Sequence, residues 1–160
     1  VSEYNIGDIE NLSNQFGSNV AFIITGSEQL LLWCKNYKLP SISMTPDVTP
    51  QTPHEIKLPS ADFSFGDYDL DFFVDENYTN FQYIITWMMK FYNGDWSLTD
   101  DIVSANLFLF NNQMTDIVMR VEFTELFPIG FNGFDFDNIK MSESITMNIS
   151  FAYDKWRIRP

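Results

Sequence analysis

The chain has 160 residues, with 22 acidic side chains against 9 basic ones and a formal net charge of -13. That length reads as one domain, 1–160, able to bury a core without disulfide or metal staples. The acidity argues against a fold that grips DNA or RNA by neutralising phosphates and against docking on anionic lipid, and it fits solubility, repulsion of polyanions or a partner with a basic patch.

Cys34 is the only cysteine, so no internal disulfide forms. It sits in the apolar run Leu30-Leu31-Leu32-Trp33, where a buried, inert thiol is expected. No apolar run approaches the roughly 18 residues of a membrane span. Val1-Ser2-Glu3-Tyr4 lacks the basic region and apolar core of a signal peptide.

In chain order, Ile6, Ile9, Leu12 and Phe16 recur near one helical turn and predict a short amphipathic helix before Gly17. Val20–Thr25 and Gln29–Lys35 flank Gly26-Ser27-Glu28 and read as a hairpin of well-buried strands. Between Leu39 and Pro59 fall Pro40, Pro46, Pro50, Pro53 and Pro59, which bar a helix or central strand. The stretch is short of Gly and Ser, so a stiff extended arm about 44–59 is expected, with an edge strand near His54–Leu58. Two outcomes stay open for it: a docking arm, or a surface loop.

From Ala61 to Val74 apolar residues alternate with polar ones. Gly66 shifts the phase by one, as a bulge or turn does, and Asp67, Asp69 and Asp71 then share one face. No calcium-loop register accompanies them, so an acidic solvated strand face is expected. Asp75–Asn93 is the long helix, capped by Asp75 or Asn77 and ended by Asn93-Gly94, with Phe81, Ile84, Ile85, Met88 and Tyr92 on its core stripe. Ser104–Phe110 is apolar on both faces, and Asn111-Asn112 turns it into a strand at Asp116–Glu125. A corner at Leu126-Phe127-Pro128 and a connector rich in Phe and Asp lead to a last strand, Glu143–Asp154. Its apolar set is Ile145, Met147, Ile149, Phe151 and Tyr153. Its other face, Ser144, Thr146, Asn148 and Ser150, is polar but uncharged, which suits either an ordinary solvated face or one that another chain approaches.

The expected fold is mainly β with one main α-helix, as two antiparallel sheets in a sandwich or roll. No catalytic site is expected. The single His54 and Cys34 exclude a Cys/His metal cluster, and a Ser–His–Asp triad would need His54 from the Pro-rich arm. Gly-rich phosphate loops are absent, and with this many acids a carboxylate pair carries no information. No cofactor and no metal are expected.

The residues resemble a known family. The helix, the hairpin ending Cys34-Lys35, Leu39-Pro40 with its Pro-rich arm, Asp75–Asn93, Glu125-Leu126-Phe127-Pro128 and Phe151-Ala152-Tyr153-Asp154-Lys155-Trp156 occur in an order similar to the tail tube proteins of contractile-tailed bacteriophages. The resemblance covers nearly the whole chain. It implies a structural virion protein, not an enzyme, forming hexameric rings whose inner sheets join into a β-barrel and stack into a tube that conducts DNA. Its partners would be copies of itself, the tail sheath, and baseplate and terminator proteins. DNA would pass through the lumen without tight binding, no membrane is involved, and the location would be the phage tail, reached from the host cytoplasm. On this resemblance Ser144, Thr146, Asn148 and Ser150 are the candidate lumen face. Thr49, Pro50, Pro53, His54 and Ile56 lie on the candidate ring-stacking arm, and the long helix would pack outside the sheets, towards the sheath. The same fold serves tube initiators, terminators and injection-system tubes. A different class, an acidic β-sandwich that binds carbohydrate through aromatics, is the further alternative.

Overall fold

A computed structural model describes residues 19–27, 31–50, 53–133 and 145–160. The expected helix at Ile6–Phe16 and the candidate Ser144 lie outside them. The described strands are β1 (Val20–Ile24), β2 (Leu31–Asn36), β3 (Ile42–Met44), β4 (Asp47–Pro50), β5 (Glu55–Leu58), β6 (Phe63–Phe65), β7 (Tyr68–Phe73), β8 (Val103–Phe110), β9 (Ile117–Phe131), β10 (Thr146–Ala152) and β11 (Lys155–Arg159). The single described helix, α1, spans Thr79–Asn93.

Mainly β with one helix is what the structure shows, but the expected pair of separate sheets is not. The strands run β10-β7-β2-β1-β8-β9, and β9 also pairs with β10, so the sheet closes into an antiparallel barrel with β11 added outside β9. Closure depends on β9. Its first half pairs with β8 and β11, whereas Phe127–Phe131 pairs with β10. The expected corner at Leu126-Phe127-Pro128 is therefore a bend inside one 15-residue strand. Two local devices make it: Glu125 takes a left-handed φ of 52°, and the β9–β10 register slips between Ser150 and Phe151, opposite Pro128. Proline has no ladder donor, so a bulge at this point loses little.

The barrel interior is aromatic. Phe22, Tyr68, Phe123 and Phe151 are fully buried, with Tyr68 stacked on Phe123 at 4.5 Å between centroids. Helix α1 joins this interior: Ile84 and Trp87 belong to the same buried cluster, and the Trp87 ring lies 6.3 Å from that of Phe151. It thus contributes to the barrel core rather than merely covering an outer face. Asp75 caps it from upstream, accepting the Thr79 and Asn80 amides at 2.7 and 3.3 Å. Gly94 ends it at φ 76°. Tyr92, placed on the core stripe by spacing, is exposed, because the buried line runs Asn80, Ile84, Trp87 and the ring of Phe91 against Phe127. Strand β1 is buried on both faces, since Ala21 and Ile23 pack with Trp33, Phe108 and Phe110 in a second cluster.

Burial of the Tyr68 hydroxyl raises its pKa and leaves it without a hydrogen-bond partner among the described residues. Desolvating an unpaired hydroxyl costs about 1–3 kcal/mol. Tyr68→Phe is therefore expected to match or exceed the parent in stability by about 1 kcal/mol in urea unfolding. A loss of stability would show that the hydroxyl is bonded. Burial likewise pushes the Cys34 thiol up, as expected for an inert thiol.

Candidate functional site

Three surfaces on this barrel are built rather than incidental. The first is the outer face of β10 and β7. Met147, Ile149 and Phe151 point inward, which turns Thr146, Asn148 and Ser150 outward. On β7, Tyr68, Leu70 and Phe72 are buried, leaving Asp69 and Asp71 outward. The ladder register sets Ser150 opposite Asp69 and Asn148 opposite Asp71. Ser150 Oγ donates to Asp69, Asn148 Nδ2 donates to Asp71 Oδ1 at 2.6 Å, and Asn36 Nδ2 on β2 donates to its Oδ2 at 3.2 Å. Asn132, just beyond β9, donates its Nδ2 to Asn148 Oδ1. Two features that look separate in the sequence, a neutral face and an acidic one, are thus a single hydrogen-bonded ladder. Two of the four predicted lumen residues, Asn148 and Ser150, lie on it, with Thr146 on the same face opposite Phe73, and it is acidic where the β10 pattern alone looked neutral.

The second surface is the arm. Instead of an unpaired excursion it is a two-tier ribbon, β3 with β6 and β4 with β5. All residues of β3, β4 and β5 are exposed, so Thr49, Pro50 and Ile56 stand in the ribbon and Pro53 and His54 near its tip, away from the core. One face of the lower tier is apolar: Ile42 opposite Phe65 and Met44 opposite Phe63, with Phe63 51% exposed. Gly66 is the root, neither a bulge nor a hairpin turn but the junction of ribbon and barrel. Its N–H donates to Ser41 O at 2.9 Å, and its carbonyl accepts the Tyr153 hydroxyl. A Cβ at Gly66 would stand 2.6 Å from Ser41 Oγ, so a larger residue here would have to turn the Ser41 hydroxyl aside.

The third surface is β11, which sequence periodicity missed. Its signal was the alternation in Lys155-Trp156-Arg157-Ile158-Arg159. Arg157 and Arg159 Nε both donate to Glu122 Oε2 at 2.7 Å. These two bonds hold the Glu122 carboxyl down at about 2, against a usual 4.5. A depressed carboxylate contributes stability that is present above the usual value and lost as pH falls from 4.5 towards 2. Glu122→Gln is expected to cost about 1 kcal/mol near neutral pH, with the gap from the parent closing as urea melts are repeated at acid pH. A gap that does not change with pH would mean the carboxylate is not held this way.

Beside α1 a groove of about 460 Å³ is lined by Tyr83, Thr86, Trp87, Lys90, Asp100 and Asp101. Lys90 Nζ donates to Asp101 Oδ1 at 2.9 Å, which lowers the Asp101 pKa, and Asp101 O accepts from Trp87 Nε1 at 2.8 Å. These bonds tie α1 to the loop before β8. Among the described residues no group of His, Cys, Asp and Glu is arranged to hold a metal ion, and no helix is long and apolar enough to cross a membrane.

No protein-family model and no curated protein matches the sequence. Solved structures do. The chain is similar to one from the sheath–tube complex of an extracellular contractile injection system, PVC, in its extended state, with TM-score 0.63, 15% identity and 88% of each chain covered. It is similar to one from the six-fold symmetrised baseplate of the anti-feeding prophage, with TM-score 0.62, 10% identity, and 88% of this chain and 90% of that one covered. Hcp1 from Flavobacterium johnsoniae matches with TM-score 0.56 and 13% identity, over 87% of this chain and 93% of that one. The fold is that of the tube proteins of contractile injection systems and tails.

Proposed function

We propose that this chain is a non-catalytic tube subunit of a contractile tail, assembling into hexameric rings that stack into a hollow tube. The observation that carries the proposal is a likeness along nearly the full length of both chains to a component of a sheath–tube complex. The six-fold symmetry stated for the baseplate neighbour favours a hexamer. The exposed ribbon is an independent support, because its apolar side chains stand clear of the core where a neighbouring subunit would cover them. Sheath, baseplate and terminator proteins would be the partners, in a phage tail or a related particle.

In the ring, the face of Thr146, Asn148 and Ser150 would line the lumen. Asp69 and Asp71 make that wall anionic, so a DNA molecule would slide along it without being held. Electron microscopy of the purified protein tests assembly: hollow tubes are expected, and a strict monomer at high concentration would sink the proposal. Single rings that never stack would instead favour a baseplate or terminator role, the reading to which the baseplate match gives specific weight. For the lumen, Asn148→Arg with Ser150→Arg is expected to leave folding and tubes intact and to slow DNA release from assembled particles. If the double variant unfolds the subunit, that face is not a free channel wall.

A further inference from the structure

Strand β1 lies three strands from β10 in either direction round the barrel, so its outer face looks away from the ladder. That outer face is closed. Val20, Phe22 and Ile24 fill the interior, whereas Ala21 and Ile23 point outward and are 0% and 1% exposed. The register sets Trp33 of β2 on one side of Ala21 and Phe108 of β8 on the other, with Phe110 next on the same face of β8. Large rings flanking a small residue make a trough along β1. The three rings that wall it are at most 5% exposed. Among the described residues, Phe73 is the one partly buried apolar side chain packed against this cluster. Rings of this size on an outer sheet face are hidden only by a further layer of chain. Trp33 Nε1 is buried with no hydrogen-bond partner among the described residues, which marks that layer as apolar rather than wet.

The β9 side of the trough has a basic rim. Arg120 stands opposite Phe108 and 5.7 Å over its ring, and Arg157 and Arg159 of β11 share this face with one carboxylate, Glu122. Residues 1–18 lead into β1 and lie outside the described residues. Asn19, which follows them, donates its Nδ2 to Phe110 O at 3.4 Å and accepts the Phe110 N–H at 2.9 Å, so the chain enters at the Phe110 end of the trough. Residues 1–18 carry Glu3, Asp8 and Glu10 and no basic side chain, and Ile6, Ile9, Leu12 and Phe16 recur near one helical turn. A helix over 6–16 would be about 16 Å long, and the five residues of β1 span about the same length. Gly17 and Ser18 give the turn that would lay one along the other. The stretch 134–144 is placed differently, because it joins β9 to β10, and β10 is opposite β1 in the barrel.

We infer that residues 1–18 fold back over β1 and close the trough, with their apolar stripe on the row Trp33, Ala21 and Phe108 and their acids beside Arg120. The cover hides an aromatic face that, left bare, would hold copies together through the wrong surface. It does not depend on the tube reading. Where that reading holds, the cover lies on the outer wall of the tube, opposite the lumen.

A photoreactive benzoylphenylalanine placed at Leu12 of the full-length protein reports what lies beside the segment. Irradiation is expected to link it within one chain, to peptides carrying Ala21, Trp33 or Phe108, or to Met114 of the same cluster. Links to 134–144 or to β10, links between two copies, or no link at all would overturn the cover. A second measurement uses the stripe itself. Ile9→Asp with Leu12→Asp is expected to raise the emission of the apolar dye ANS about threefold or more and to lower the urea midpoint. Asn11→Asp with Asn14→Asp adds the same charge off the stripe and is expected to leave both readings at the parental values. Stripe and off-stripe variants that behave alike would overturn the inference, whether or not the parent forms tubes.

Discussion

Phe22→Ala is expected to destabilise the subunit by about 3–5 kcal/mol, a large share of the roughly 5–15 kcal/mol available to a domain of this kind. Phe22 is fully buried at the centre of β1. Its ring contacts Tyr68 of β7 at 5.7 Å, Phe123 of β9 at 6.0 Å and Phe151 of β10 at 5.7 Å. One side chain thus touches rings from three other strands of the closed barrel. Removing it takes away its transfer energy and leaves a cavity that a hydrogen-bonded barrel cannot collapse to fill. Phe63→Ala, at a half-exposed ring on the arm, is the control and is expected to cost well under about 1 kcal/mol. Urea unfolding of the two variants compares them directly. Equal losses would mean that the aromatic interior is not what holds the barrel together.

How far the sequence foretells this barrel varies with the range of the contact. Alternation in Met147, Ile149 and Phe151 and in Tyr68, Leu70 and Phe72 marked both strands and their inward faces, because a two-residue period needs only local information. What alternation cannot say is which strands meet. Asp71 and Asn148 are 77 positions apart, so their shared ladder was invisible until the register placed them opposite each other. Barrel closure is hidden for the same reason: it turns on β9 changing partners at Glu125 and Pro128, and a proline there read as a corner. Tyr92 failed differently. Its spacing fits the stripe, but the buried line of α1 runs through Trp87 and Phe91 instead. Strand β11 is short and charged on alternate residues, a pattern that suits an edge and reads as a solvated tail.

Replacing Thr49–Ile56 with Asn-Gly is expected to abolish stacking of rings while leaving the subunit as stable as the parent. Val48 pairs with Lys57, so a two-residue turn can close the shortened ribbon between them without altering the tier below. The exchange removes two exposed pairs, Thr49 with Ile56 and Pro50 with Glu55, together with the described tip residues Pro53 and His54. None of these residues touches the barrel core, so thermal and urea unfolding should hardly change. Stacking is another matter. Ile56, 42% exposed, gains by burial on a neighbour, and about 25 cal/mol per Å² of that apolar area is lost when the outer half of the β4–β5 tier is cut away. The barrel strands remain untouched, so single rings should still form. Rings without tubes in the electron microscope are therefore the expected result. Tubes of parental length from this variant would mean that rings hold one another through some other surface and that the arm does not reach across.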